Sequence, residues 1–274
     1  MNLEPINIAT LSTWLGRATE GLDSETHKVV LSHYRGNSNA YLKLYDDQRQ
    51  AIAELAAAQL GRAIEINIPE PFLVLVDTTL LPPESKYHGT RHRWAFASDQ
   101  AGKTPVSFAR LVKDDSPGAN QLFSTWKGLD DTAAFDEWLA NTDRNLGNIL
   151  YDGHGRTFWL IDHGRALTGE YWPVYGIDNP NVDVENLLLD YIGKTAPSDS
   201  RRKELRDKSN DLMLRASLID FTQLDKDGHF TRLDPSINRQ LVIDFVRTRV
   251  HNTVALICQK IGIPDMLSPT PPTH

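Results

Sequence analysis

The first hundred residues alternate between short apolar runs and polar, turn-forming stretches, a pattern typical of strands. Residues 46–64 interrupt this pattern, because two Asp residues are followed there by a segment dominated by Ala and Leu, which predicts a helix. Gly, Asn and Ser at residues 35–39 predict a hairpin turn. The predicted strands span residues 8–15, 27–34, 40–45, 72–76 and 94–98.

The rest of the chain has a mostly helical pattern. It is interrupted by two apolar runs, residues 149–151 and 157–161, whose connecting Asp-Gly-bearing turn predicts a β-hairpin. Residues 105–127 have a mixed pattern and are predicted to be rich in loops, and the Pro-rich residues 264–274 are predicted to form a disordered tail. The predicted helices span residues 130–140, 184–192, 200–218 and 238–261.

The order of these elements predicts an α+β fold with two lobes around one cleft. The β-rich N-lobe would comprise residues 1–100, and the mostly helical C-lobe would comprise residues 101–263. A chain of 274 residues, 40% of them hydrophobic, is long enough to bury the core that such a fold needs. The single cysteine, Cys258, stands in an apolar helical stretch and is predicted to lie in that core.

Composition and charge argue against two classes of protein. No stretch approaches the ~18 consecutive apolar residues of a membrane span, and the N-terminus lacks the basic and apolar segments of a signal peptide, so a cytoplasmic protein is predicted. The net charge of −7 argues against a broad nucleic-acid-binding surface, which needs a basic field. The densest basic stretch, residues 201–207, is interleaved with acidic residues and is predicted to be a solvated helix face.

The stretch from residue 140 to residue 164 carries the most specific chemistry. It places Asp143, Asn148 and Asp162 around the predicted hairpin, with Asn148 five residues after Asp143. Phosphoryl transfer needs such a set, because one carboxylate contacts the acceptor hydroxyl while a second carboxylate and an amide oxygen bind Mg²⁺. The alternative explanation is an Asx-turn with a helix cap. We predict Asp143 as a catalytic residue, and Asn148 and Asp162 as metal ligands.

Lys43 and Glu54 form a second candidate pair. Lys43 lies in a predicted strand, on the face opposite Leu42 and Leu44, and its alternative environment is solvent. Glu54 lies eleven residues later, at the margin of the apolar face of the predicted helix, where a carboxylate is costly unless it is paired. A strand Lys paired with a helix Glu positions the amine for contact with nucleotide phosphates. We therefore predict that Lys43 and Glu54 serve nucleotide binding.

Two further segments are candidates for contact with the nucleotide. The predicted loop at residues 16–26 contains Gly16, Gly21 and Ser24, which would offer backbone amides and a hydroxyl to phosphates. Its glycine spacing matches neither a Walker loop nor the GxGxxG motif, and a flexible surface loop is the alternative. The short strand ending at residues 96–98 would be the connector between the lobes. Its backbone at Phe96 and Ser98 would form hydrogen bonds with adenine. The alternative is that this segment is simply another core strand.

The run from residue 135 to residue 150, together with residues 160–164, resembles the catalytic core of HipA-like kinases and, more distantly, of phosphatidylinositol 3-/4-kinases. The likeness extends over roughly residues 20–170 and implies a protein-kinase-like fold. In such a fold Lys43 holds phosphates, Asp143 is the catalytic base, and Asn148 and Asp162 bind Mg²⁺. Protein kinases commonly place a Lys two residues after the catalytic Asp, where this chain has Asn145, and Arg144 is expected to supply that positive charge instead.

These observations predict an ATP- and Mg²⁺-dependent kinase whose acceptor is Ser or Thr of a protein. A small-molecule or lipid-headgroup kinase would share the same metal- and phosphate-binding groups. A nucleotide-binding pseudokinase that serves as a scaffold is the non-enzymatic alternative. Catalysis is favoured over scaffolding because Lys43, Glu54, Asp143, Asn148 and Asp162 are all present.

Overall fold

The computed structural model describes residues 1–18, 24–169, 172, 176–195 and 198–265. Within these ranges the N-terminal part is rich in sheet and the C-terminal part is helical. This confirms the predicted α+β class. The predicted Gly21, and all but the first two residues of the predicted disordered tail, lie outside the described residues.

Five strands in the N-terminal part close into a barrel. Their order is β1-β2-β3-β5-β4, and a parallel pairing between β1 and β4 completes the closure. Leu42 and Leu44 point into the barrel interior among other buried apolar side chains, which is why alternate residues of these strands are apolar. The strands are β1 (Asn7–Arg17), β2 (Glu25–His33), β3 (Gly36–Leu44), β4 (Pro71–Asp77) and β5 (His92–Asp99).

The turn between β2 and β3 is tighter than predicted. Only Tyr34 and Arg35 separate the two strands, and His33 pairs with Gly36. Residues 36–39, which the composition assigned to the turn, belong to β3 because Gly36 adopts a φ of 115° that starts the strand directly after the turn.

Helix α1 (Gln48–Ala63) begins where the side chain of Asp47 accepts a hydrogen bond from the N–H of Arg49. The helix was predicted with one apolar face, but residues 50–61 are all buried. Gly61 shows how closely the surroundings approach, since a Cβ there would lie 2.8 Å from the ring of Phe135. α1 is therefore a central helix of the core, packed between the barrel and the C-terminal helices.

A second, three-stranded antiparallel sheet lies after the barrel. It consists of β6 (Pro105–Ser107), β7 (Ile149–Asp152) and β8 (Thr157–Leu160), and the β7–β8 pair confirms the predicted hairpin. The prediction that residues 105–127 are rich in loops is wrong. They form β6, α2 (Phe108–Asp114) and α3 (Ser116–Ser124), because Asp115 caps α3 and the rings of Phe108 and Phe123 pack 4.8 Å apart.

The C-terminal helices enclose the larger part of the core. The predicted helices are confirmed with shifted ends, the short α7 was not predicted, and Cys258 is buried as expected. No helix in the described ranges has the length and apolar character needed to cross a membrane. The C-terminal helices are α4 (Leu129–Trp138), α5 (Leu187–Thr195), α6 (Asp199–Ser217), α7 (His229–Leu233) and α8 (Arg239–Ile261).

The basic stretch at the start of α6 is only partly a solvated face. Arg201 forms a hydrogen-bonded ion pair with Asp130, whose side chain is buried, and Lys208 approaches the same carboxylate at 3.0 Å. A buried carboxylate needs such partners, because it has lost its hydration. This basic stretch therefore serves in part to attach α6 to α4.

Candidate active site

A cavity of about 330 Å³ lies between the barrel and the small sheet. Thr26, Tyr41 and Lys43 line it from the barrel, and Leu150 and Asp162 line it from the β7–β8 hairpin and the segment that follows. Strands β2 and β3 place Thr26 opposite Lys43 in register, so both side chains point to the same face of the sheet. The remaining lining residues are Ala18, Lys28, Pro69, Ser98, Asp99, Ala101, Pro105, Val106, Ser107, Arg110 and Ile161.

Lys43, Glu54 and Asp162 meet at one wall of this cavity. Lys43 Nζ donates to Glu54 Oε1 at 2.5 Å and to Asp162 Oδ1 at 2.9 Å. The side chains of Lys43 and Glu54 are 9% and 3% exposed, whereas that of Asp162 is 34% exposed. The amine is thus held between a buried carboxylate and one that remains accessible from the cavity.

All three groups of this cluster are placed by long-range packing. β3 carries Lys43, the buried middle of α1 carries Glu54, and the residue just after Ile161 is Asp162. Asp162 has a φ of 61°, a left-handed conformation that Asp tolerates better than most residues and that is common at functional sites. The predicted pairing of Lys43 with Glu54 is present in the structure, and the solvent-facing alternative for Lys43 is not.

Burial alone would lower the pKa of the Lys43 amine, but the carboxylates of Asp162 and Glu54 outweigh it and raise that pKa well above its ordinary value. Burial alone would raise the pKa of Glu54. The charge of Lys43 and the hydrogen bonds to the carboxylate instead hold that pKa far below its usual range. Both groups are therefore charged at neutral pH, which makes Lys43 a fixed cation on the cavity wall.

The loop that carries Asp143 is held by its own side chains. Asn148 Nδ2 donates to the carbonyl oxygen of Asp143 at 2.7 Å, and Asn145 Nδ2 donates to Asp143 Oδ1 at 3.0 Å. Asn145 also accepts from the N–H of Gly147, so an Asx-turn of the kind considered as the alternative is present, but at Asn145. Asp143 is half-buried and is not among the residues that line the cavity.

Arg144 has a different role from the one expected of it. Its guanidinium is buried and pairs with both carboxylate oxygens of Asp136, at 3.0 and 3.1 Å. The same group donates to the carbonyl oxygens of Asn148 and Ile161 at 3.1 and 2.7 Å. The expectation that Arg144 supplies a positive charge to the acceptor is wrong, because this charge is neutralised within the core. Arg144 instead holds the Asp143 loop next to the segment that leads to Asp162.

Asn148 and Asp162 are brought close together by neighbouring backbone. The N–H of Ile161 donates to the carbonyl oxygen of Asn148 at 3.1 Å. Because Asn148 donates through Nδ2 to Asp143, its Oδ1 is left as an acceptor. Asp162 lines the cavity, whereas Asn148 is buried and is not among the lining residues. A carboxylate and an amide oxygen are ligands that suit Mg²⁺, which keeps several waters and takes few protein ligands. Within the described residues no cluster of three or more His, Cys, Asp or Glu side chains suits a metal ion.

Residues 41–173 match the family model described as HipA-like kinase. This match confirms the resemblance inferred from the motifs and supports a kinase. The HipA-like segment contains the whole cluster of Lys43, Glu54 and Asp162, as well as Asp143 and Asn148.

The chain is also similar in fold to solved structures. The crystal structure of a Helicobacter pylori proinflammatory kinase, CtkA, aligns with 94% of this chain and 98% of its own, at 10% sequence identity and a TM-score of 0.49. No curated protein matches the chain.

The HipA-like segment also contains Phe96 and Ser98, which are not in a connector. Both lie inside β5, where they pair in register with β3 on one side and β4 on the other. Their backbone is thus engaged in the sheet, and the chain leaves β5 only after Asp99. Phe96 lies beside Lys43, with the amine 6.0 Å from the ring centroid, and Ser98 lines the cavity. The prediction that the backbone of these two residues bonds adenine is therefore wrong.

The predicted phosphate loop, which precedes the HipA-like segment, is shorter than expected. β1 continues to Arg17 and β2 begins at Glu25, so Gly16 lies at an irregularity in the β1–β2 pairing. Ser24 forms a hydrogen bond with Thr26 between their hydroxyls at 2.8 Å. The described residues that line the cavity include Ala18 and Thr26 but neither Gly16 nor Ser24.

Sequence reasoning missed two residues that contact Glu54. Tyr45 donates from its hydroxyl to Glu54 Oε1 at 2.8 Å, and the backbone N–H of His163 donates to Glu54 Oε2 at 2.9 Å. Burial lowers the pKa of the His163 imidazole, and the charge of Arg144 lowers it further, so this ring is neutral at neutral pH. A signal for Tyr45 existed in the chain, because it follows Lys43 by two residues.

Proposed function

We propose that the protein is an ATP- and Mg²⁺-dependent kinase that transfers the γ-phosphate to Ser or Thr of a protein. The observation that carries this proposal is the position of Lys43 Nζ, which is held by Glu54 and Asp162 at the wall of the cavity. An ammonium fixed in this way is a ligand for nucleotide phosphates. The proposal includes a two-lobed protein-kinase fold, with the N-lobe at residues 1–100 and the C-lobe at residues 101–263.

The metal site of this kinase consists of Asn148 and Asp162. Bound Mg²⁺ would neutralise charge on the phosphate oxygens. Asn148 is oriented for this role by its hydrogen bond to Asp143, and Asp162 is the more exposed of the two carboxylates in the Lys43 cluster. Arg144 supports both ligands, because it donates to the carbonyl oxygen of Asn148 itself and to that of Ile161, the residue before Asp162.

Asp143 accepts the proton of the acceptor hydroxyl. Its carboxylate is half-buried, and Asn145 holds one oxygen, which orients the carboxylate without neutralising it. Asn145 and Leu146 are exposed beside it. An acceptor on a polypeptide can reach a carboxylate that lies on such an exposed loop, which favours a protein over a small molecule that needs an enclosed pocket.

The nucleobase occupies the cavity between Tyr41 and the apolar side chains of Leu150 and Ile161. The backbone that follows β5 borders the same cavity at Asp99 and Ala101. The N–H of Gln100 is already bonded to the carbonyl oxygen of Asn39. The base therefore takes its backbone hydrogen bonds from Ala101 rather than from Phe96 or Ser98.

The test is phosphate transfer from γ-labelled ATP in the presence of Mg²⁺ and a cell lysate. The wild-type protein is expected to label protein on Ser or Thr, and Asp143→Asn is expected to abolish the labelling. Asp227→Asn is the matched control, because Asp227 is an exposed carboxylate remote from the cavity lining. Label on small metabolites or lipids instead of protein would show that the acceptor is not a protein. Absence of label in every fraction would overturn the proposed kinase activity.

A further inference from the structure

Tyr45 lies one residue beyond the end of β3, and its side chain is buried in the Lys43–Glu54 cluster. Its hydroxyl donates to Glu54 Oε1 at 2.8 Å, the same oxygen that accepts Lys43 Nζ at 2.5 Å. A buried carboxylate loses its hydration, so every donor that reaches it helps to fix its position. Tyr45 thus supplies a neutral donor to an oxygen that would otherwise depend on Lys43 alone.

The same hydroxyl lies against the segment that follows Asp162. A Cβ built on Gly164 would be 3.2 Å from the Tyr45 hydroxyl oxygen and 3.6 Å from the edge of the ring. A Cβ at this distance would be in a tight contact, so Tyr45 would have to move by a few tenths of an ångström to accept it. Tyr45 therefore packs between Glu54 on α1 and Gly164, two residues after the proposed metal ligand.

Glu54 is consequently held from two directions. Lys43 and Tyr45, from β3 and its end, donate to Oε1, whereas the backbone N–H of His163 donates to Oε2. The carboxylate therefore has donors on both oxygens. These hydrogen bonds fix the position of Glu54, and with it the position of the Lys43 amine.

We propose that Tyr45 is a positioning residue for the phosphoryl transfer. It keeps Glu54, and through it Lys43, in the arrangement that contacts nucleotide phosphates, and it couples this pair to the Asp162–Gly164 segment. This inference rests on the proposed kinase function. The role is specific to the hydroxyl, since the ring alone would fill the same space.

The first test compares Tyr45→Phe with Tyr87→Phe. Each change removes one hydrogen bond from a Tyr hydroxyl to a carboxylate, but the bond of Tyr87 is to Asp46 at the exposed surface. Tyr45→Phe is expected to lower kcat about tenfold, which corresponds to the loss of a hydrogen bond to a charged group, with a smaller change in the KM for ATP. Tyr87→Phe is expected to stay within about twofold of the wild type.

The second test is a double-mutant cycle with Gly164→Ala. The added methyl group presses on the Tyr45 hydroxyl, so Gly164→Ala is expected to lower kcat about fivefold in the presence of that hydroxyl and less than about twofold in the Tyr45→Phe protein. Such a non-additive result is expected for two neighbouring positions that affect each other, whereas independent positions give additive effects. Thermal unfolding of the four proteins shows whether each one folds.

The outcomes separate the two proposals. If the wild type transfers phosphate and Tyr45→Phe behaves like Tyr87→Phe, the positioning role is overturned while the kinase stands. A fall in melting temperature without a fall in kcat would make Tyr45 a purely structural residue and would also overturn the role. If the wild-type protein transfers no phosphate, the proposed function fails, and this role fails with it.

Discussion

Two clusters of buried charge in this protein differ in what surrounds them. The cleft cluster consists of Lys43, Glu54 and Asp162, and it borders the cavity through Lys43 and Asp162. The sealed cluster consists of Glu137, Arg249 and Lys260, in which Arg249 and Glu137 have fully buried side chains 3.1 Å apart. Both clusters pair a carboxylate with a cation, but the most exposed side chain of the cleft cluster, Asp162, is 34% exposed and lines the cavity, whereas the most exposed side chain of the sealed cluster, Lys260, is 19% exposed.

The donors of the sealed cluster are directed to backbone. Arg249 donates to the carbonyl oxygens of Glu137, Pro180 and Val182, as well as to the Glu137 carboxylate. Lys260 completes the cluster at 2.9 Å from Glu137 Oε2. These bonds attach α8 and residues 180–182 to α4. A cluster whose hydrogen bonds are saturated in this way stabilises the fold, whereas the cleft cluster can exchange partners with a ligand.

The largest effect on activity is expected from Lys43→Met, which removes the cation of the cleft cluster. Phosphate transfer should fall about 1,000-fold, because a preorganised charge at the phosphates is lost. The protein should still fold, since Tyr45 and His163 continue to donate to Glu54. Turnover and thermal unfolding are the measurements, with the exposed Lys226→Met as control. Unchanged turnover would remove Lys43 from the site.

Glu137→Gln should have the opposite effect to Lys43→Met, because it should lower stability and leave nucleotide binding unchanged. Removing one member of a buried ion pair leaves Arg249 without its counter-charge and is expected to cost about 3–5 kcal/mol of stability. This corresponds to a fall of about 10 °C in the melting temperature for a chain of this size. Nucleotide affinity, measured by calorimetry below the melting temperature, should not change. A loss of affinity with unaltered melting would show that the two clusters are not distinct in role.

Arg144→Lys is expected to give a mixed result, because Arg144 is sealed like Arg249 but contacts the active-site loop. Lysine keeps the charge but cannot form the two bonds to Asp136 and the bonds to the carbonyl oxygens together. We expect about 2 kcal/mol of lost stability. We also expect kcat to fall, because Asn148 and Ile161 lose a common support. Arg247→Lys, at an exposed ion pair with Asp244 away from the cavity lining, is the control. An effect on kcat alone would indicate direct contact with substrate.

The smallest effect is the difference in nucleotide binding between Asp162→Asn and Asp143→Asn. Asp162→Asn weakens a metal ligand, so the affinity for ADP measured with Mg²⁺ should fall about tenfold. Asp143→Asn removes the group that acts on the acceptor and should leave this affinity nearly intact. Titration with and without Mg²⁺ distinguishes the two. The reverse ranking would mean that the roles of the two carboxylates are exchanged.

Local patterns in the amino-acid sequence were enough to predict the five strands of the barrel, the β7–β8 hairpin and most of the helices. The alternation of residues in β3 also predicted that Lys43 would face away from Leu42 and Leu44. These features depend on the period of a strand or a helix and on turn composition, which neighbouring residues carry. The Asp143–Asn148–Asp162 spacing could be recognised for the same reason, because it spans one loop and one hairpin.

Features that depend on distant partners were decided only by the tertiary structure. Burial of α1 on all sides follows from the helices that pack on it, and no pattern within residues 46–64 shows it. Arg144 was predicted to be catalytic from its residue type and its position next to Asp143. Its charge is instead neutralised by Asp136 of α4, which the local sequence does not show. Phe96 was misplaced because an apolar strand looks the same at an edge and between two partners. Burial and pairing depend on contacts between residues that are far apart in the chain, so the local sequence does not reveal them.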